Sequence, residues 1–169
     1  PHKNIIDFCG KPLIAWTIEC MKNVNEVSTV WVSSDDDEIL KIAKKYGAEV
    51  IRRPKSLSTS KSKAVDGWLH AIDVIQQING NIDVVVAPQV TSPVREPKDV
   101  SNGIKKFLKD GYQTMFSGSI IGDFLIWEKK KNTIQSINFN YKRWPRRQEF
   151  PEQYVANGSF WIFTPKSLK

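Results

Sequence analysis

Apolar residues recur along this chain with two alternating periods. Leu13, Ile14, Thr17, Ile18 and Met21 keep helical spacing over residues 12–21, and Pro12 suits a first helical turn. Residues 29–33 (TVWVS) then read as a short buried strand. After Asp35-Asp36-Asp37, the stripe Ile39, Ile42, Ala43 and Tyr46 predicts a second helix, capped by Asp36 or Asp37 and stopped by Gly47. Residues 49–52 (EVIR) predict the next strand, and 54–62 form a Ser/Lys-rich loop without apolar period. Val65, Trp68, Leu69, Ile72 and Ile75 mark a third amphipathic helix. The run 82–87 (IDVVVA) is the β-branched pattern of a strand buried on both faces. A polar loop over 89–97 leads to a helix from about Lys98 to Lys109, carried by Val100, Ile104, Phe107 and Leu108. A strand over 112–121 follows. The pattern then turns irregular and aromatic through Phe124, Trp127, Phe139, Tyr141 and Trp144, before a last strand at 158–163 (GSFWIF).

Strands separated by helices of ten or more residues imply βαβ units. The expected class is α/β: a Rossmann-like fold with a mostly parallel sheet and helices on both faces. Ligands of such sheets bind beyond the carboxyl ends of the strands. That nominates residues 33–37, 52–62, 89–95 and whatever precedes Lys3. No repeat or linker divides the chain, so residues 1–169 are expected to form one domain. The chain opens on Pro1-His2-Lys3-Asn4, where such a fold would open with a strand, and it ends just past a strand. We therefore expect the first strand with its turn, and a C-terminal part, to lie outside this sequence.

Composition narrows the function. With 169 residues, 40% of them hydrophobic and 25% charged, the chain has the make-up of one globular domain with a core. No apolar run reaches the roughly 18 residues of a membrane span, so no membrane partner is expected. Cys9 and Cys20 are too few for a disulfide framework and point to a reducing compartment. No signal peptide opens the chain, and a cytoplasmic location is expected. The net charge of +7 favours anionic partners such as nucleotides and acidic sugars. Lys129, Lys130 and Lys131 read as a solvated turn. The segment 142–148 differs, because three Arg and a Lys are interleaved with Trp144 and Pro145 on a stiff turn. Taken alone it fits a surface loop or a nucleic-acid patch as well as a specific anion site. The basic residues do not line one helix, so nucleic acid is not expected as a partner.

A set of motifs carries a resemblance. Lys3-Asn4-Ile5, Gly10-Lys11-Pro12-Leu13-Ile14, the stretch 32–39 (VSSDDDEI), Tyr46-Gly47-Ala48-Glu49-Val50 and Arg52-Arg53-Pro54 come first. Leu57-Ser58, Gln89-Val90-Thr91-Ser92-Pro93, Arg146-Arg147-Gln148 and Asn157-Gly158-Ser159-Phe160 complete it. In order and spacing, over nearly the whole chain, they resemble the N-acylneuraminate cytidylyltransferases, the CMP-sialic acid synthetases.

The resemblance implies a reaction between CTP and a nine-carbon α-keto acid sugar. The anomeric hydroxyl attacks the α-phosphate and pyrophosphate leaves, so the protein's task is positioning and charge neutralisation. By the same resemblance Lys3 touches the α-phosphate, Asn4 meets the nucleotide and Arg53 helps hold the cytosine. Read from the residues alone, Arg53 fits an ion pair with Asp35 or Glu49 equally well. Gln89 is matched to a residue that bonds the sugar, and Arg147 and Gln148 to residues near the acidic sugar and phosphates. A guanidinium fork suits a planar carboxylate. Lys3 and Arg147 form the implied catalytic pair. Trp161 falls where the family offers an aromatic wall to the sugar, although core packing explains it too. Thr91 and Ser92 suit a turn before Pro93.

Mg²⁺ is implied as cofactor, with ligands outside this chain; Asp35–Asp37 read as a cap and a solvated turn. A homodimer is implied as well. Ser60 stands where family members commonly carry an Asp, which leaves nucleotide contacts of that loop open. Two alternatives stand beside the sialic acid reading. One is a CMP-legionaminic or CMP-pseudaminic acid synthetase; the other is a catalytically inactive nucleotide-binding module.

Overall fold

A computed structural model describes residues 2–122 and 124–168, with only the backbone of Arg147. The chain packs as two compact units, Pro1–Ser117 with Gly158–Lys169, and Gly118–Asn157. After a 3₁₀ turn at Lys3–Ile5 the order is β1 (Asp7–Phe8), β2 (Lys11–Pro12), α1 (Leu13–Lys22), β3 (Trp31–Ser34), α2 (Asp37–Lys45) and β4 (Glu49–Arg52). There follow α3 (Ala64–Asn79), β5 (Val85–Pro88), α4 (Pro97–Asp110), β6 (Thr114–Ile120), β7 (Trp127–Lys130), β8 (Thr133–Ser136) and β9 (Tyr154–Phe163).

Local chemistry sets the boundaries. Asp36 caps α2, its Oδ1 accepting from the backbone N–H of Glu38 at 2.8 Å and Ile39 at 3.3 Å. Asp37 and Glu38 stand at the helix's positive end, Lys44 and Lys45 at its negative end. Gly47, at φ +82°, turns the chain into β4. Pro97 opens α4 and Gly111 closes it in the left-handed region.

In the first unit β3 and β4 pair in parallel, from Trp31↔Glu49 to Ser34↔Arg52. A second sheet has the order β5-β9-β6. Here β5 and β9 are antiparallel, from Val85↔Phe163 to Pro88↔Phe160. The βα units thus supply the parallel register, while β9 enters from the second unit with no crossover helix before it and joins antiparallel. Both faces of β5 are covered. Val84 and Val86 pack with Ile104, Phe107, Phe160 and Ile162, on the side of α1 and α4. Val85 and Ala87 pack with Ile72, Trp68 and Phe163, on the side of α3. A third cluster joins Ile14 and Ile18 of α1 to Ala43, Ala48, Val32 and Ile39.

The second unit holds the β7–β8 hairpin, paired from Trp127↔Ser136 to Lys130↔Thr133. All three lysines are exposed, but only Lys131, at φ +51°, stands in the turn; Lys129 and Lys130 pair with Ile134 and Thr133 at the end of β7, against the turn expected for them. Trp127 stacks edge-on against Phe139 with centroids 5.1 Å apart, and Phe139 against Trp144 at 5.6 Å. The Asn138 side chain ties this unit together. It donates to the Phe124 carbonyl and to Gln153 Oε1, each at 2.8 Å, and accepts from Ile126 N–H at 2.9 Å.

Candidate functional site

The carboxyl ends of β3 and β4 lie side by side. The backbone N–H of Arg53, one residue past β4, donates to the carbonyl of Ser34, the last residue of β3, at 2.9 Å. The Arg53 side chain is half-buried and lies over α3, where Gly67 makes room. A Cβ at Gly67 would come within 3.0 Å of Arg53 Nη1. Arg53 Nε is buried without a partner, as is Ser33 Oγ. Asn4, Ser33, Ser34 and Arg53 all line one cavity of about 800 Å³. Among the described residues no ion pair engages Arg53; it is Arg52 that pairs with Asp37. The ion-pair alternative with Asp35 or Glu49 is therefore not what holds this guanidinium. Lys3, beside Asn4, is exposed.

Gln89 follows β5 and is fastened at its backbone. Its N–H donates to the Ser159 carbonyl at 3.1 Å, and its carbonyl accepts from Ser92 N–H at 3.1 Å. Arg95 completes the clamp. Its Nη2 donates to the carbonyls of Gln89, at 3.0 Å, and Ser159, and its Nε donates to Ser159 Oγ at 3.0 Å. Burial lowers the Arg95 pKa, and two carbonyls and a hydroxyl answer the cost of that burial. The Gln89 side chain lies against Gly158, where an added Cβ would sit 2.5 Å from Gln89 Oε1. Gly158 also has φ +70°. Gly158→Ala should therefore cost about 1–2 kcal/mol of stability from backbone strain alone and displace the Gln89 amide. A urea titration checks the first effect.

Trp161 is half-buried on β9, its ring 6.0 Å from that of Trp68 in the cluster under α3. That is the packing role its sequence position also allowed. Ser92 closes the turn 89–92 through its backbone N–H, which donates to the Gln89 carbonyl. Gln148 is exposed in the short turn Arg147–Glu149 of the second unit, and the side chain of Arg147 lies outside the described atoms. Arg146 is engaged locally, its Nε donating to Glu149 Oε1 at 3.1 Å.

One group among the described residues brings three metal-ligand atoms together. His2, Asp36 and Glu38 lie within 4.8 Å of one another. His2 Nδ1 stands 3.4 Å from Asp36 Oδ2 and 3.9 Å from Glu38 Oε2. One Asp36 oxygen is already spent on the α2 cap. An imidazole with exposed carboxylates is a poor match for Mg²⁺, which prefers an octahedral oxygen shell. The cluster does not fit that ion. Arg95 and Gly67 were absent from the sequence-derived site set, and Gly158 and Ser159 stood only within the motif Asn157-Gly158-Ser159-Phe160, with no role of their own. The one local trace of Arg95 was an Arg inside a polar loop, and Gly67 was a glycine inside a helical pattern.

The cytidylyltransferase family model matches residues 1–158. An N-acylneuraminate cytidylyltransferase of Oncorhynchus mykiss is 33% identical over all of this chain and 39% of its own length. A pseudaminic acid cytidylyltransferase of Campylobacter jejuni is 32% identical over 99% of this chain and 73% of its own. Against the fish relatives the chain thus spans well under half the length. Among solved structures, a CMP:2-keto-3-deoxy-manno-octonic acid synthetase complexed with CTP superposes with a TM-score of 0.72 at 18% identity. It covers 98% of this chain and 68% of that one. A 4-diphosphocytidyl-2C-methyl-D-erythritol synthase reaches the same TM-score at 8% identity. The likeness to these solved structures establishes the nucleotidyltransferase fold, and the match along nearly the whole sequence places this chain in the cytidylyltransferase family.

Proposed function

We propose that this chain is a nucleotidyltransferase domain that activates a nonulosonic acid of the sialic acid type with CTP, giving the CMP-sugar and pyrophosphate. One observation carries the reading: a half-buried Arg53 with an unpartnered Nε shares a cavity with Asn4 at the carboxyl ends of two parallel strands. A guanidinium held in that way is poised for an external acceptor, and a pyrimidine carbonyl meets the need. In this reading Arg53 and Asn4 hold the nucleotide. Lys3 neutralises charge on the α-phosphate as the anomeric oxygen attacks. Gln89, fixed by Arg95, orients the sugar, while Arg147 and Gln148 of the second unit are assigned to the acidic sugar by resemblance alone. Family membership supports a divalent metal as cofactor, taken as Mg²⁺ in this reading; the one three-ligand group among the described residues, His2 with Asp36 and Glu38, does not fit it.

The relatives named for sialic and pseudaminic acid are almost equally similar to the chain, so the choice of acyl sugar rests with assay. Full-length protein is expected to release pyrophosphate from CTP with a nonulosonic acid, and Lys3→Ala or Arg147→Ala to lower kcat by about 10²–10³-fold. Binding of CTP without turnover on any nonulosonic acid would leave only the nucleotide-binding module. A cytoplasmic setting suits this chemistry, because CTP is an intracellular substrate.

We further propose a homodimer formed through the second unit. Phe124, Ile134, Ile137, Tyr141 and Trp144 are each more than half exposed there, apolar side chains that an interface would cover. Trp144→Ser should halve the mass measured by sedimentation. An unchanged mass would remove this surface from the interface.

A further inference from the structure

His2, Asp36 and Glu38 meet in the first unit, and none of them lines the cavity of Asn4 and Arg53. The backbone of His2 is held at the 3₁₀ turn Lys3–Ile5, where its carbonyl accepts from the Ile5 N–H at 2.9 Å. Asp36 caps α2 through Oδ1, which fixes its carboxyl group and leaves Oδ2 at 3.4 Å from His2 Nδ1. Glu38 stands in the first turn of the same helix, its Oε2 at 3.9 Å from Nδ1. All three ligand atoms lie within 4.8 Å of one another, although His2 comes from a different segment of the chain. Ion pairing does not account for this convergence. Ionised carboxylates only accept, so their two oxygens repel across such a gap. Nδ1 carries one hydrogen or one lone pair and cannot be directed in line at both. An exposed ion pair also contributes little by itself. Asp37, next in the chain, is turned to Arg52 and takes no part.

We propose that His2 Nδ1, Asp36 Oδ2 and Glu38 Oε2 form a tetrahedral site for a borderline divalent ion, Zn²⁺ foremost, with water in the fourth position. The spacing of the donors selects the geometry. Ligands at about 2.0–2.2 Å from a tetrahedral ion stand roughly 3.3–3.6 Å from one another. The separation of 3.4 Å between His2 and Asp36 falls in that range. The 3.9 Å to Glu38 exceeds it by little, and Glu38 is exposed and free to rotate inward. An octahedral Mg²⁺ shell would bring neighbouring ligands to about 2.9 Å and would favour oxygen over imidazole. The charge agrees as well: two carboxylates outweigh the roughly half positive charge of the α2 N-terminus, so the spot attracts a cation. Two of the three ligands, His2 and Asp36, are held in place by backbone hydrogen bonds before any ion arrives. An ion bound here ties the turn Lys3–Ile5 to the start of α2. The site is separate from the divalent metal of the proposed reaction, and it does not rest on that reading.

The test titrates untagged, metal-free full-length protein with Zn²⁺ by calorimetry in excess Mg²⁺. Cys9→Ser serves as the background, because Cys9 is an exposed thiol that could take the ion by itself. The expected result is one Zn²⁺ per chain that His2→Ala removes or weakens by about 100-fold or more, beyond what loss of an outer-shell partner costs. Asp36→Asn is the sharper variant. Asparagine caps a helix as well as aspartate does, so the metal-free melting temperature should stay unchanged while Zn²⁺ binding falls by a similar factor. Co²⁺ supplies the geometry: the intense visible bands of a four-coordinate ion are expected in the background protein and not in His2→Ala. Equal Zn²⁺ stoichiometry and affinity in the background and both variants would overturn the proposal. So would a pale six-coordinate Co²⁺ spectrum, or displacement of Zn²⁺ by the Mg²⁺ present. Should Asp36→Asn fail to fold, His2→Ala alters only an exposed side chain and decides alone. No readout here involves CTP, so failure of the enzymatic assignment and failure of this site remain distinguishable.

Discussion

Arg53→Met is expected to weaken CTP binding by about 10–100-fold, the worth of a hydrogen bond to a charged group, and to leave the melting temperature unchanged or higher. The asymmetry follows from how this side chain is held. Its Nε is buried without a partner, and no ion pair engages the guanidinium among the described residues. A buried polar atom left unpaired costs roughly 1–3 kcal/mol. Methionine fills the volume of the arginine stem and removes the orphan donor. Calorimetry with CTP on the full-length protein, beside a thermal melt, separates the two effects. Gly67→Val should reproduce the CTP loss with Arg53 itself retained, because a Cβ there would stand 3.0 Å from Nη1 and displace the guanidinium. A melting temperature lowered by several degrees with CTP affinity intact would make Arg53 a brace of the fold.

What the sequence disclosed about this region depended on the range of the contacts involved. Helix α2 was readable because its cap, its stripe and its stop lie within twelve consecutive positions, from Asp36 to Gly47. Strand β4 was readable to the residue for the same reason: four positions between a Gly-turn and a proline. Strand β5 was not, since the apolar run begins at Ile82 but the ladder only at Val85. Its partner sets that limit, because Val85 opposes Phe163, and two residues beyond stands Pro165, which cannot donate to a ladder. The early start of β9 at Tyr154 was hidden because its first four residues are exposed and carry no core signal.

The site divides along the same line. Lys3, Asn4, Arg53 and Gln89 stood inside short motifs. The groups that fix Arg53 and Gln89 reach them from elsewhere in the chain: Gly67 lies fourteen positions from Arg53, and Ser159 sixty-four from Arg95. No local pattern encodes such a pairing. The aromatic run of the second unit was visible as composition, yet the β7–β8 hairpin within it was not. Its polar, exposed strands lack the alternation that marks a half-buried ribbon.

Ile162→Ala should destabilise the first unit by about 2–5 kcal/mol, the largest effect expected of a single truncation here. Ile162 is wholly buried on β9 and packs in the cluster shared by α1 and α4. The site cannot collapse easily, because its neighbour across the interface is the backbone of Gly103 in α4. A Cβ built there would stand 3.2 Å from Ile162 Cδ1 and 3.1 Å from Phe160 Cε2. Helix packing at this point is therefore as close as a glycine permits. Two consequences can be measured in a double-mutant cycle by urea unfolding. Gly103→Ala alone should gain little of the roughly 1 kcal/mol that helix propensity offers, because the methyl presses on an aromatic ring and a β-branched chain that have no room to retreat. Combined with Ile162→Ala, the same methyl enters the space vacated by Cδ1, and the pair should be less destabilised than the sum of the singles by about 0.5–3 kcal/mol. Strict additivity would mean that α4 has moved away from β9 in the truncated protein, and that the close approach at Gly103 is not what holds this helix to the sheet.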